Sequence, residues 1–99
     1  MIVISGVILV DDSTRQQVLE CLSTLKEKSC QDKGVAAYRF GIDIDNPNEI
    51  HVYEEWESTD DLKAHGKQPH MDAFRKLRQE LEIQTTGFSR WRAETLGEF

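Results

Sequence analysis

The chain opens on MIVISGVILV, where every residue from Ile2 to Val10 except Ser5 and Gly6 is aliphatic. That pattern predicts a strand that is apolar on both faces and so lies in the middle of a sheet. After Asp11 the period changes. In DDSTRQQVLECLSTLKEKSC, Val18, Leu22 and Leu25 recur at i, i+4 and i+7, the stripe of an amphipathic helix, and Ser13 and Gln16 stand at capping-box spacing before it. Lys26, Lys28 and Lys33 suit the negative end of that helix, and Gly34 supplies its stop.

VAAYRFGIDI then alternates, with Ala36, Tyr38, Phe40, Ile42 and Ile44 on one side and Ala37, Arg39, Gly41 and Asp43 on the other, a second strand. Asp45-Asn46-Pro47-Asn48 gathers turn formers, and EIHVYEEW follows as the other arm of a hairpin. Ser58 and Thr59, with Asp60 and Asp61 behind them, start a short helix that closes at Gly66. Pro69 opens a further helical segment in which His70, Phe74, Leu77 and Leu81 share one stripe. A polar break, Gln84-Thr85-Thr86-Gly87, precedes a last strand in FSRWRAE. The order β, α, β, β, interrupted α, β predicts a ferredoxin-like α+β fold, an antiparallel sheet with its helices on one face, as a single domain over residues 1–99. The other sheet face has no cover, so a second subunit stacked sheet on sheet, or closure over a ligand, is expected.

Length agrees with one core. The 99 residues are about two-thirds of a typical ~150-residue domain, and scaling laws give roughly 5,800 Å² of folded surface. A formal charge of −6 without a cationic stripe argues against nucleic acid. The apolar N-terminal run stops at Asp11, well short of the roughly twenty residues that span a bilayer, and lacks the flanks of a signal peptide. Cys21 and Cys30, placed in one helix, would be roughly 13.5 Å apart against the ~7 Å limit for a disulfide, which predicts reduced thiols and a cytoplasmic protein.

Chemistry concentrates in YEEWESTDDLKAHGKQPHMDAF, residues 53–74. Strand alternation puts Glu54 and Trp56 on one face, and the interrupted helix beyond brings His65 and His70. No HExxH, paired CxxC, Gly-rich phosphate loop or GxSxG is present. On a continuous helix His65 and His70 would stand roughly 140° apart, poor geometry for one metal, so no metal is expected.

Glu-x-Trp at the end of the third strand, His65 closing a short helix, and Pro69-His70-Met71 opening the next resemble the antibiotic biosynthesis monooxygenase domain family, and WES, AH and PHM are most similar to its quinol monooxygenase branch. The entry Gly34 to Tyr38 and the turn Asp45 to Pro47 fit as well. The resemblance implies a homodimeric α/β barrel and oxygenation without metal, flavin or other cofactor: an electron-rich quinol, anthrone or similar phenol is deprotonated, and its anion reduces dioxygen. It also implies the roles. His65 is the base or proton shuttle, His70 orients substrate or relays the proton, Trp56 is an aromatic wall and Glu54 tunes an imidazole or accepts a substrate hydroxyl. Tyr53 and Phe74 add aromatic surface, while Arg90 or Arg92 stabilises a phenolate.

Each residue also has a structural reading: Trp56 as a core aromatic, His70 as a core or helix-start residue, His65 as a helix-end partner, Glu54 as a solvated strand edge, and Arg90 and Arg92 as partners of the acidic excess. The alternatives in function are isomerisation or tautomerisation of a small carbonyl or phosphorylated sugar-derived signal, and a noncatalytic dimeric ligand-binding protein. Haem-degrading relatives carry an asparagine on the first strand, and MIVISGVILV has none.

Overall fold

The structure, a computed structural model, describes residues 1–98. Strands β1 (Ile2–Leu9), β2 (Val35–Ile42), β3 (Glu49–Trp56) and β4 (Gln84–Arg92) form one sheet in the order β2-β3-β1-β4, and helices α1 (Arg15–Ser29), α2 (Thr59–Gly66) and α3 (Pro69–Glu80) connect them. All three pairings are antiparallel, and β1 is central as its unbroken apolar run requires. The arrangement is ferredoxin-like.

Register fixes what lies beside what. Ile2 has Trp56 on one side and Arg92 on the other, and Ile4 has Glu54 on one side and Arg90 on the other. Burial along β3 alternates, so that Ile50, Val52, Glu54 and Trp56 all face the helices. Val18, Leu22 and Leu25 of α1 close the core against Ile2, Ile8, Tyr38 and Ile83. The opposite face carries Val3, Val7, Leu9 and Tyr53 half-buried and Trp91 half-exposed, with no helix over it. The molecule is a slab of 40 × 33 × 20 Å. Its 6,795 Å² of surface exceeds by about 1,000 Å² what a chain of this mass normally exposes. No helix among the described residues is long and apolar enough to cross a membrane.

Four local details differ from the pattern-based expectation. The first turn of α1 is organised by Asp11 rather than by a Ser13–Gln16 box: its Oδ1 accepts from the backbone N–H of Ser13 and Thr14 and from both hydroxyls, while Gln16 turns to Glu20. An ionised carboxylate outcompetes a hydroxyl for these donors. At its far end α1 stops at Ser29, ahead of Gly34, and Cys30 is its C-cap. Both cysteines are free thiols. Strand β2 ends at Ile42, leaving Ile44 outside the sheet, and its ladder shifts between Val35 and Ala37, so Ala36 is the extra residue of a bulge. The polar Gln84–Gly87 segment is strand, because β1 offers it a ladder. The irregularity is absorbed where the register shifts opposite Gly6, with Gly87 at φ +66°. There the Phe88 ring lies over Gly6, in the space that a Cβ would fill. The turn itself sits at Glu82, whose φ of +55° is left-handed.

Candidate active site

The residue that organises the site lies in the turn after α1. The N–H of Gln31 reaches Lys28 O and that of Asp32 reaches Ser29 O, extending the helix end as a tight turn. Gly34 reverses the chain at φ +83°, where an added Cβ would collide with the Asp61 side chain. This turn sends the Asp32 carboxylate inward. Ser58 Oγ caps α2 by accepting from Asp61 N–H, and Pro69 starts α3, so His65 ends one helix and His70 begins the next.

Both imidazoles converge on one oxygen. Asp32 Oδ2 is 2.7 Å from His65 Nδ1 and 2.8 Å from His70 Nε2, and the three side chains are 8%, 3% and 11% exposed. A proton on Nδ1 leaves His65 Nε2 as an acceptor, and the Tyr38 hydroxyl stands 3.5 Å from it. The His65 ring lies against Trp56, with centroids 4.5 Å apart and planes tilted by 35°, and meets Tyr38 edge-on at 5.4 Å. Trp56 Nε1–H donates to Glu54 Oε1 at 2.8 Å. Every fully buried side-chain nitrogen or oxygen of this group but one therefore has a partner among the described residues. The exception is Ser29 Oγ, fully buried and without one among the described residues.

Burial sets the protonation states. It lowers the His65 imidazole below its ordinary value, with Asp32 pulling the other way, and raises the Glu54 carboxyl against the opposing Trp56 N–H. Tyr38 is pushed well above a normal phenol by burial and then by the charge of Glu54. Near neutrality the group holds a protonated tyrosine facing a neutral histidine whose tautomer is fixed by an aspartate. Such a histidine can accept a proton at Nε2 while Asp32 steadies the resulting imidazolium. His70 takes the cluster to the surface, lining a cleft of about 210 Å³ between α1 and α3 with Cys21, Thr24, Leu25, Lys28 and Ala73.

The expected residues divide into four groups. Glu54, Trp56, His65 and His70 are together. Tyr53 points to the opposite sheet face, as odd-numbered positions of β3 do, where its hydroxyl donates to Glu55 at 2.7 Å and Arg39 lies 5.9 Å over its ring; it does not join the cluster. Phe74 is half-buried on α3 against the core. Arg90 and Arg92 lie on the helix-facing side of β4, two strands from Glu54 and Trp56, with Lys63 of α2 around a separate cleft.

Asp32 and Tyr38 were not anticipated as site residues. A faint signal existed for Asp32: a carboxylate just beyond the negative end of a helix dipole is unfavourable there unless another partner holds it. The separation argument for His65 and His70 also fails, because the extended Gln68 at φ −72°, ψ 147° breaks the helix and swings His70 back. Asp32, His65 and His70 thus present donor atoms within 4.8 Å of one another, as do Asp43, Glu49 and His51 at the hairpin end. In the first set a transition metal would have to displace both N–H bonds to Asp32.

The family described as antibiotic biosynthesis monooxygenase matches residues 1–77, which contain Asp32, Tyr38, Glu54, Trp56, His65 and His70. Among solved structures, a candidate antibiotic biosynthesis monooxygenase from Deinococcus radiodurans superposes with a TM-score of 0.92 at 14% identity, over 100% of this chain and 98% of that one. One from Nitrosomonas europaea gives 0.83 at 18% identity, over 98% and 100%. A conserved protein from Methanosarcina mazei gives 0.84 at 21%, over 94% and 92%. At these identities the likeness is one of fold. No curated protein matches in sequence. The match over β1 through most of α3 shows that the chain belongs to the antibiotic biosynthesis monooxygenase family.

Proposed function

We propose that the chain is a cofactor-independent monooxygenase of small electron-rich phenols, quinols or anthrones, working as a homodimer. The observation that carries this reading is the Asp32 carboxylate holding His65 and His70 beside Tyr38 and Trp56. Oxygenation of a phenol needs its proton removed and the anion kept from water. His65 is the acceptor: burial keeps it neutral and Asp32 directs its Nε2 towards the Tyr38 hydroxyl, through which a substrate proton reaches it. Asp32, which accepts from both imidazoles, stabilises the imidazolium that His65 becomes, and His70 steadies Asp32 from the side of the cleft between α1 and α3. The substrate loses two hydrogens and gains one oxygen, and the second oxygen leaves with those hydrogens as water, so no outside reductant is needed.

Trp56 and Glu54 face the substrate side of the sheet, and Glu54, whose Oε1 accepts from Trp56, offers its other oxygen to a substrate hydroxyl. The open sheet face is where the second subunit sits. Dioxygen consumption with a panel of quinols and anthrones tests the activity. Turnover by the native protein, reduced at least tenfold in His65→Gln and in Asp32→Asn, supports the reading. No turnover with any of them, together with ligand affinities unchanged by His65→Ala, sinks it.

A further inference from the structure

Outside the buried cluster, the strongest unexplained feature is a cleft of about 370 Å³ between α2 and the β1–β4 edge, lined by Ile2, Thr59, Leu62, Lys63, Arg90 and Arg92, with Trp91 at its margin. Its size suits a single-ring ligand. Three cations surround an apolar floor on a chain whose formal charge is −6. Among the described residues Lys63, Arg90 and Arg92 make no ion pair, so no carboxylate of the chain neutralises the charge around this floor. The acids nearest in sequence on α2 are Asp60 and Asp61, and Asp61 is turned against Gly34. Converging guanidinium and ammonium groups left without anions form a site for an anion supplied from outside.

Strand register ties this cleft to the buried cluster. Arg92, Ile2 and Trp56 form one row across β4, β1 and β3, and Arg90, Ile4 and Glu54 form the next. Cations and cluster are therefore separated by two strand spacings, roughly 10 Å, with isoleucines between. Farther along the same face Phe88 is half-exposed over Gly6 and extends the apolar floor. A flat ring seated in the cleft against Leu62 and the edge of Ile2, beside Trp91, places its anionic group among the three cations, with Ile2 between it and the buried Trp56.

We propose that this cleft binds an aromatic acid, a ring bearing a carboxylate or phosphate monoester, through Lys63, Arg90 and Arg92. The inference rests on the oxygenase reading only for what happens to the bound ring. Binding itself is independent of it.

Titration calorimetry at low salt compares gentisate, hydroquinone, hydroquinone monophosphate and inorganic phosphate. Gentisate or the aryl phosphate is expected to bind at least tenfold more tightly than hydroquinone, and the better of the two identifies the anionic group. The advantage should shrink with added salt and disappear in the Arg90→Gln/Arg92→Gln variant and in Lys63→Gln; these residues are exposed, so the fold survives, as circular dichroism would check. Equal affinities for gentisate, the aryl phosphate and hydroquinone, or an advantage untouched by the substitutions, would overturn the proposal. Inorganic phosphate binding as tightly as the aryl phosphate would overturn its aromatic half. His65→Gln should retain gentisate affinity, so an anion site that binds gentisate in a protein without oxygen uptake stands even when the oxygenase reading falls.

Discussion

Asp32 and His65 are 33 residues apart in the chain, yet a carboxylate oxygen of one stands 2.7 Å from Nδ1 of the other, and the same oxygen accepts from His70. Two buried N–H groups thus depend on one acceptor. Asp32→Ala leaves both without a partner and should cost roughly 2–6 kcal/mol, taking each unsatisfied buried donor at about 1–3. Asp32→Asn keeps one acceptor of the right size, so its cost should be about half. It should also let the His65 pKa fall further below its ordinary 6.5, because burial already lowers it and Asp32 is the chief opposing influence. Thermal unfolding, at ~4–8 °C per kcal/mol for a chain of this size, reads the first effect. Proton NMR titration of the imidazole reads the second, and an unchanged or raised His65 pKa would contradict the arrangement.

Opposite shifts at His65 and Glu54 give opposite pH dependences. His65 titrates below 6.5 in the folded protein, so as pH drops past 6.5 the unfolded chain binds a proton that the folded one refuses, and stability falls. Glu54 is raised from 4.5, so its contribution favours folding below 4.5 and is lost as pH rises through the folded value. At neutral pH its buried charge therefore opposes folding. Glu54→Gln removes that charge while its amide oxygen still accepts from Trp56 Nε1, and should raise stability by about 1 kcal/mol at pH 7. The gain should vanish near pH 4. Urea denaturation at the two pH values would show it, and a destabilised variant at pH 7 would mean that the carboxylate is needed charged.

Ser29 provides a smaller test. Its hydroxyl is fully buried at the last position of α1 and lacks a partner among the described residues. Ser29→Ala deletes an unsatisfied group and improves helix propensity, so a gain of roughly 1 kcal/mol is expected in chemical denaturation. A loss instead would reveal that Tyr38 or Asp32 leans on that hydroxyl.

How far the chain could be read beforehand follows from the range of the interactions. Period and punctuation located β1, β3, α2 and α3 nearly to the residue, because apolar alternation, Ser58 and Pro69 are local signals. Period also placed Glu54 beside Trp56 and, through parity, could have excluded Tyr53, whose aromatic character outweighed its odd position. Asp32 was out of reach: its approach to His65 and His70 depends on the Gly34 reversal and on the angle between α2 and α3, neither of which a period records. The α1 cap was misplaced for a related reason, since Ser13 matches a motif while Asp11 offers the stronger acceptor.

The open sheet face leads to the last prediction. Val3, Val7 and Leu9 of β1 are aliphatic on the side that no helix covers, and Trp91 of β4 is 49% exposed beside them. Burying such a face against its own copy removes about 800 Å² per subunit in an interface of standard size, close to the ~1,000 Å² by which the chain exceeds the surface expected of its mass. Sedimentation equilibrium at micromolar concentration should therefore give about 23 kDa, twice the 11.4 kDa chain. Val7→Lys, which puts a charge in the middle of that face without touching the helix side, should shift the mass towards 11.4 kDa while leaving far-ultraviolet circular dichroism intact. The two outcomes separate an interface from a merely exposed face. A native protein that sediments as a monomer would leave the apolar side of β1 to a ligand or another partner, and a dimer indifferent to Val7→Lys would place the interface elsewhere, with the edge of β4 as the next strand to charge.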